Sequence, residues 1–248
     1  MPARGNQPKY RTDAIVFDLD GTLIDSVPDV RNALNRTLAS DGRRPLSHDE
    51  VCTMVGEGAR VMFEKAWAAT GDALTGEAFE VLFDRYAGYY LAHPADETVI
   101  YPGVSDILEA LAGDGVALGI CTNKPQALSV AVLEALGLRG LFASIVGGDA
   151  TQYRKPDARH VFETLAPMGA ETAAAAFVGD SAIDVAAARN AGLPIVLVSW
   201  GYRHVPAADL GADAVIDRFA DLPTALAGLT AQPDAADRLA ASQVSAPR

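Results

Sequence analysis

Cysteine is scarce in this 248-residue chain: Cys52 and Cys121 are the only two, too few and too scattered for a disulfide framework or a cysteine zinc site. Basic residues are outnumbered, 20 Lys and Arg against 32 Asp and Glu, for a formal charge of −12. With no basic field to attract phosphate polymers, a non-specific nucleic-acid binder or a membrane-surface binder is excluded. No apolar run is long enough to span a bilayer, and the N-terminus carries scattered charges instead of an apolar segment. These absences give the expectation of a soluble, cytoplasmic protein in a reducing setting. No internal repeat is present either. An acidic protein can still take a small anion through a few local cations and a metal.

Half of the residues are hydrophobic, enough for a sizeable core in one large domain or two modest ones. Residues 1–12 are polar, with Pro2, Gly5 and Pro8, and read as a flexible leader. Residues 232–248, rich in Ala, Asp, Gln and Ser, read as a disordered tail. Ala14 to Phe17 is a short apolar run with two β-branched residues and reads as a buried strand. Residues 26–96 change character, with apolar positions at helical spacing. The stripes are Val30, Leu34, Thr37 and Leu38; Val61, Met62, Lys65 and Ala66; and Phe79, Leu82, Phe83 and Tyr86. No strand is expected inside this helical block, and His93 to Asp96 reads as its exit hinge.

From about Val99 onward helix and strand alternate. Helices are expected over 104–112, 125–136, 157–165 and 183–191. Strands are expected over 116–121, 144–146, 174–178, 195–198 and 214–216. That alternation predicts an α/β fold, a parallel sheet with helices on both faces, built from residues 13–25 and 97–231 around the inserted helical block.

Chemistry gathers where these strands end. The first strand runs into Asp18, Asp20 and Gly21, and alternation along an extended chain puts the two acids on one side. Charges are costly to bury unless paired or bound to a metal, although Asp20-Gly21 is also ordinary turn chemistry. The run VALGIC ends in Thr122-Asn123-Lys124-Pro125, where a hydroxyl and an amide precede a helix. This suits an anion, and it also suits a plain helix cap. Lys155 opens the next helix as a cation for a phosphoryl group or as a solvated lysine. Asp180 follows the strand AAAAFVG, and Asp184 falls on the first turn of the helix after it, facing the same cleft. An Asp there also complements the helix dipole. Four acids from two distant strand ends repel one another without a cation, and hard oxygen ligands point to Mg2+.

The strings DxDGTLxDS, Thr122, Lys155 and GDxxxD, in that order, resemble the motifs of the haloacid dehalogenase superfamily in its phosphatase form. The resemblance runs from about Thr12 to Ala227. It implies a Rossmann-like core with residues 26–96 as an all-α type 1 cap. It also implies Asp18 as nucleophile, Asp20 as acid and base, and Thr122, Asn123 and Lys155 around the phosphoryl oxygens. Mg2+ is then held by the Asp18 carboxylate, the Asp20 backbone carbonyl and Asp180, with Asp184 orienting that shell. The superfamily's dehalogenases lack the acid at position 20. Its phosphonate hydrolases need a cap lysine, and Lys65 is the only lysine in the block.

Val55-Gly56-Glu57-Gly58-Ala59-Arg60, the stretch 93–104 and the GGD and KPD strings are similar to those of phosphoglycolate phosphatases. This likeness implies hydrolysis of 2-phosphoglycolate to glycolate and phosphate. Backbone N–H groups at Gly56 and Gly58 would receive the carboxylate, and Arg60 would add a charge or face solvent. The alternatives are a related phosphatase for pyrophosphate, sugar phosphates or nucleotides, a phosphomutase, or a regulatory binding protein without catalysis. The expected partner is a small phosphorylated metabolite, and the expected state is monomer or homodimer. Trp200 to Arg203 reads as packing or as entrance lining and is given no role.

Overall fold

The computed structural model describes residues 12–203 and 205–229. The expected tail at 232–248, and the expected leader apart from Thr12, lie outside the described residues. A six-stranded parallel sheet forms the frame, in the order β5-β4-β1-β6-β7-β8. Its strands are β1 (Ala14–Phe17), β4 (Ala117–Cys121), β5 (Ser144–Val146), β6 (Ala175–Gly179), β7 (Ile195–Val198) and β8 (Ala214–Ile216). The central strands are apolar runs because both faces are covered: β1, β6 and β7 are buried along their whole length.

Helices α5 (Val104–Gly113), α6 (Gln126–Ala135), α7 (Ala158–Leu165), α8 (Ala182–Ala191) and α9 (Leu222–Gly228) alternate with these strands. Their starts are written locally. Asp157 caps α7 by accepting the Arg159 N–H, and Ser181 and Asp184 cap α8 reciprocally. The expected strands and helices of this half appear with boundaries shifted by a residue or two.

Between β1 and α5 the chain makes a short antiparallel ribbon, β2 (Ile24–Asp25) with β3 (Val99–Ile100). Four helices lie between its strands: α1 (Val27–Ser40), α2 (His48–Cys52), α3 (Ala59–Thr70) and α4 (Gly76–Ala92). The ribbon is a finding that periodicity cannot deliver, since two residues per strand leave no period to count. The α3 stripe also differs from expectation. Met62, Phe63, Ala66 and Trp67 are buried, while Val61 and Lys65 are half-buried. Aromatic packing sets this rotation. Phe63 stacks on Trp67 at 4.5 Å between ring centres and meets Phe79 edge-on at 5.5 Å. Such pairs contribute about 0.5–1.5 kcal/mol each beyond burial, which fixes the α3–α4 contact.

Asp29, in the first turn of α1, ties the start of the insertion to its end. Its buried carboxylate accepts the N–H groups of Glu97 and Thr98 and the Thr98 hydroxyl, at 2.7–3.1 Å. Among the described residues no helix is long and apolar enough to cross a membrane.

Candidate active site

Phe17, the last residue of β1, pairs in register with Ile120 of β4 and Val178 of β6. Asp18, Thr122 and Asp180 therefore leave three adjacent strands at the same edge of the sheet. Backbone bonds fix two of these exits: the Asp18 N–H donates to the Val178 carbonyl at 2.9 Å, and the Thr122 N–H to that of Val146 at 3.1 Å. This is the carboxyl edge, where ligands of open α/β sheets bind.

Asp18, Asp180 and Asp184 each offer an oxygen, all within 4.8 Å of one another. The Lys155 ammonium lies 2.7 Å from Asp18 Oδ1 and 2.7 Å from Asp184 Oδ1 and is almost wholly buried. Burial opposes its charge, but the carboxylates of Asp18 and Asp184 outweigh that and raise its pKa above the usual lysine value. Burial pushes the Asp18 carboxyl up to about 7, against Lys155 and with help from Asp184 and Asp20. Asp180 is pushed well above the carboxylate range by burial first, then by Asp184 and Asp18. One ammonium thus leaves a buried carboxylate cluster short of positive charge. An all-oxygen donor set in that condition fits a hard divalent cation.

Each acid is held by its own partners. Asp184 Oδ2 accepts the N–H groups of Asp180 and Ser181 at 3.1 and 3.0 Å and the Ser181 hydroxyl at 2.7 Å. It is therefore a helix cap and a lysine partner at once. Asp180 Oδ2 accepts the Tyr202 N–H at 2.7 Å, and the Thr22 hydroxyl stands 3.5 Å from Oδ1. Gly21 makes its turn at φ 83°, and a Cβ there would lie 2.7 Å from Asp180 Oδ2.

The Asp20 carboxylate stands outside this cluster. It accepts the Ser26 hydroxyl at 2.5 Å and the Lys124 ammonium at 3.0 and 3.2 Å. Lys124 also donates to the Tyr90 hydroxyl of α4 at 2.6 Å. Thr122 is buried and its hydroxyl accepts the Lys124 N–H at 3.2 Å. Asn123 lines the cavity with its amide already engaged: Oδ1 accepts the Lys155 N–H, and Nδ2 donates to the carbonyls of Lys155 and Gly56. It braces the lysine loop and the glycine loop against each other.

The cavity above these groups encloses about 570 Å3 of empty space, open solvent at its mouth included. Asp18, Asp20, Asp180, Thr122, Asn123 and Lys124 line it from the sheet side. Val55, Gly56, Gly58, Met62, Tyr86 and Tyr90 line it from the insertion. Arg60 is not brought to it. Its guanidinium pairs with Glu80 at 2.5 Å and lies over the rings of Phe79 and Phe83, on an exposed face. Of the two readings of Arg60, the structure places it facing solvent, which corrects its assignment to the substrate site. Aromatic packing on the α3–α4 face and a carboxylate 20 positions away hold that side chain outward.

Three contributors escaped the sequence reading: Lys124, Tyr90 and Tyr202. Lys124 sits inside the quoted Thr-Asn-Lys-Pro string, so a signal for it existed. Tyr202 lies in the Trp200 to Arg203 stretch read as packing or entrance lining, whereas Tyr90 carries no signal, since its partner Lys124 lies 34 positions away. The Tyr202 hydroxyl donates to Asp25 at 2.5 Å and accepts the Ser26 N–H at 2.9 Å, so this residue joins Asp180 to the ribbon. Trp200 packs against Tyr101 and Phe219.

A carboxylate cluster with a buried lysine at the carboxyl edge of such a sheet defines a class, and comparison with known proteins identifies it. The chain matches the haloacid dehalogenase-like hydrolase family over residues 12–192. It is 46% identical over 211 residues to a phosphoglycolate phosphatase of Caulobacter vibrioides, covering 85% of this chain and 89% of the relative. Its identity to a phosphoglycolate phosphatase of Agrobacterium fabrum is 43%, covering 85% and 91%. The crystal structure of a predicted phosphoglycolate phosphatase from Haemophilus somnus superposes with a TM-score of 0.82 at 32% identity, covering 86% of this chain and 97% of the other. The chain belongs to the haloacid dehalogenase-like hydrolases. Within that family its curated relatives place it among the phosphatases.

Proposed function

We propose that this hydrolase cleaves phosphate monoesters through an aspartyl-phosphate at Asp18, with 2-phosphoglycolate as its preferred substrate. One observation carries the chemistry. Asp18 lies on the cavity wall with an oxygen 2.7 Å from Lys155, beside Asp180 and Asp184. The substrate is supported by the names of the relatives.

The donor set fits Mg2+. The carboxylates of Asp18 and Asp180 and the backbone carbonyl of Asp20 would hold it, with Asp184 fixing the surrounding shell. When bound, the ion neutralises charge on the transferring phosphoryl group. Lys155 and Thr122 hold the phosphoryl oxygens in line with Asp18. The Asp18 carboxylate attacks phosphorus, the ester P–O bond breaks, and Asp20 delivers a proton to the departing oxygen. Asp20 then takes a proton from water as the water oxygen attacks phosphorus, and the bond to Asp18 breaks with its electrons returning to the carboxylate.

In this reading residues 26–96 act as a type 1 cap hinged at the ribbon of β2 and β3. The cap closes over the site and excludes water. A cytoplasmic location and a monomeric or homodimeric state belong to the same proposal, tested by cell fractionation and light scattering.

The experiment is phosphate release with Mg2+ from 2-phosphoglycolate, pyrophosphate, glucose phosphates and nucleoside monophosphates. A kcat/KM preference for 2-phosphoglycolate, abolished by EDTA, is expected. Preference for another ester keeps the chemistry and overturns the substrate. No turnover of any ester with metal present overturns both and favours a regulatory binding protein.

A further inference from the structure

Among the described residues that line the cavity, Lys124 is the single cationic side chain. Lys155 is not among the lining residues; its ammonium pairs with Asp18 and Asp184, and in the proposed mechanism it serves the phosphoryl group. Of the positive charges near the glycine loop, Arg60 is paired to Glu80 and Lys65 to Glu57 on the outside, and the exposed Arg154 guanidinium stands beside Gly58 without lining the cavity. A substrate that carries an anionic group besides its phosphate therefore finds Lys124 as the cationic side chain among the described residues that line the cavity.

The geometry of Lys124 suits that second group. Its three ammonium hydrogens serve Asp20 Oδ1, Asp20 Oδ2 and the Tyr90 hydroxyl. Two of them go to one carboxylate that Ser26 already holds at 2.5 Å. Exchanging one Asp20 oxygen for a substrate carboxylate oxygen keeps every hydrogen occupied and leaves Asp20 anchored by Ser26 and by the remaining contact. Burial makes this exchange selective, since a nearly inaccessible ammonium offers a charge-assisted bond with little competition from water.

Reach follows from the proposed role of Asp20, on which this inference rests. If Asp20 serves the ester oxygen, the ammonium touching Asp20 lies next to whatever is attached to that oxygen. In 2-phosphoglycolate only the methylene and carboxyl carbons separate the ester oxygen from the carboxylate oxygens. We infer that Lys124 recognises that carboxylate, and so selects phosphate esters of small 2-hydroxy acids over uncharged alkyl phosphates.

The rival role for Lys124 is to hold Asp20 alone, which would weaken turnover of every ester alike. The test compares kcat/KM for 2-phosphoglycolate with that for ethyl phosphate, which matches it but for the carboxylate, in the wild type, Lys124→Met and Lys124→Gln. The preference for 2-phosphoglycolate should fall roughly thirtyfold or more in both variants. An unchanged preference, with equal losses on both esters, overturns the inference and leaves the phosphatase reading intact. A wild type without any preference contradicts the substrate reading itself.

If the variants turn over too slowly to compare, calorimetric binding of both esters with Mg2+ to Asp18→Asn, with and without Lys124→Gln, gives the same ratio. Equal binding preferences in those two proteins overturn the inference. A preference lost only when Lys124 is replaced supports it.

Discussion

Gly201 and Asp180 are so closely apposed that a Cβ on the glycine would sit 2.1 Å from both the Cβ and Oδ2 of the aspartate. No real side-chain carbon tolerates that approach. The loop after β7 needs glycine there in order to deliver the Tyr202 N–H to Asp180 at 2.7 Å. Gly201→Ala should displace the Asp180 carboxylate and lower kcat/KM by roughly a hundredfold, as expected for an ångström-scale misplacement. The Mg2+ concentration for half-maximal activity should rise in parallel. A variant with wild-type kinetics and metal response would remove Asp180 from the proposed metal site.

Lys155 should matter for folding as well as for catalysis. It is the ammonium shared by two buried carboxylates, and its removal leaves them facing each other without a cation. Lys155→Met is expected to cost about 3–5 kcal/mol of stability, the usual penalty for deleting one member of a buried pair. Urea unfolding measures the loss. Added Mg2+ should restore more stability to the variant than it adds to the wild type, because the ion supplies charge to the same cluster.

His160 gives the protein an acid-sensitive joint. Its buried ring accepts the Lys155 N–H at Nδ1 and lies 3.2 Å from the Val146 carbonyl at Nε2, so it must be neutral with its proton on Nε2. Burial, then Lys155, lowers its pKa from the usual 6.5 to about 4. The unfolded chain therefore binds a proton in the window where the folded chain does not. Stability is fully present above about pH 6.5 and lost as pH falls toward 4, by up to about 3 kcal/mol for this group. Urea midpoints measured across that window should fall with pH in the wild type and fall less steeply in His160→Gln.

Asp29 should hold the entrance and exit of the helical insertion together. Its carboxylate accepts from the Glu97 and Thr98 backbones and from the Thr98 hydroxyl. Asp29→Ala strands those donors, of which the two at Thr98 are buried, and is expected to cost roughly 2–4 kcal/mol, with Asp29→Asn costing less because one acceptor oxygen remains. Denaturant midpoints of the two variants decide the order.

Much of this architecture is legible in the chain. Runs such as VALGIC and AAAAFVG are long, apolar and bounded, so strands buried on both faces announce themselves, and acids directly after them mark the sheet's working edge. Local strings end where tertiary partners begin. Lys124 and Asp20 lie 104 positions apart, and Tyr202 and Asp25 lie 177 apart, so no spacing connects them. The outward turn of Arg60 has the same origin: neighbouring helices bring Glu80, Phe79 and Phe83 to it. The β2–β3 ribbon was hidden for a different reason, because hydrogen bonding between two-residue strands leaves no hydrophobic pattern.

The central claim is that Asp18 carries the phosphoryl group. Rapid acid quenching of the enzyme during turnover of 32P-labelled 2-phosphoglycolate, followed by peptide mapping, tests it directly. Label is expected on the peptide that contains Asp18 and absent from Asp18→Asn, whose turnover drops by roughly a thousandfold or more. Steady turnover without any covalent label, or with substantial activity remaining in Asp18→Asn, would contradict it.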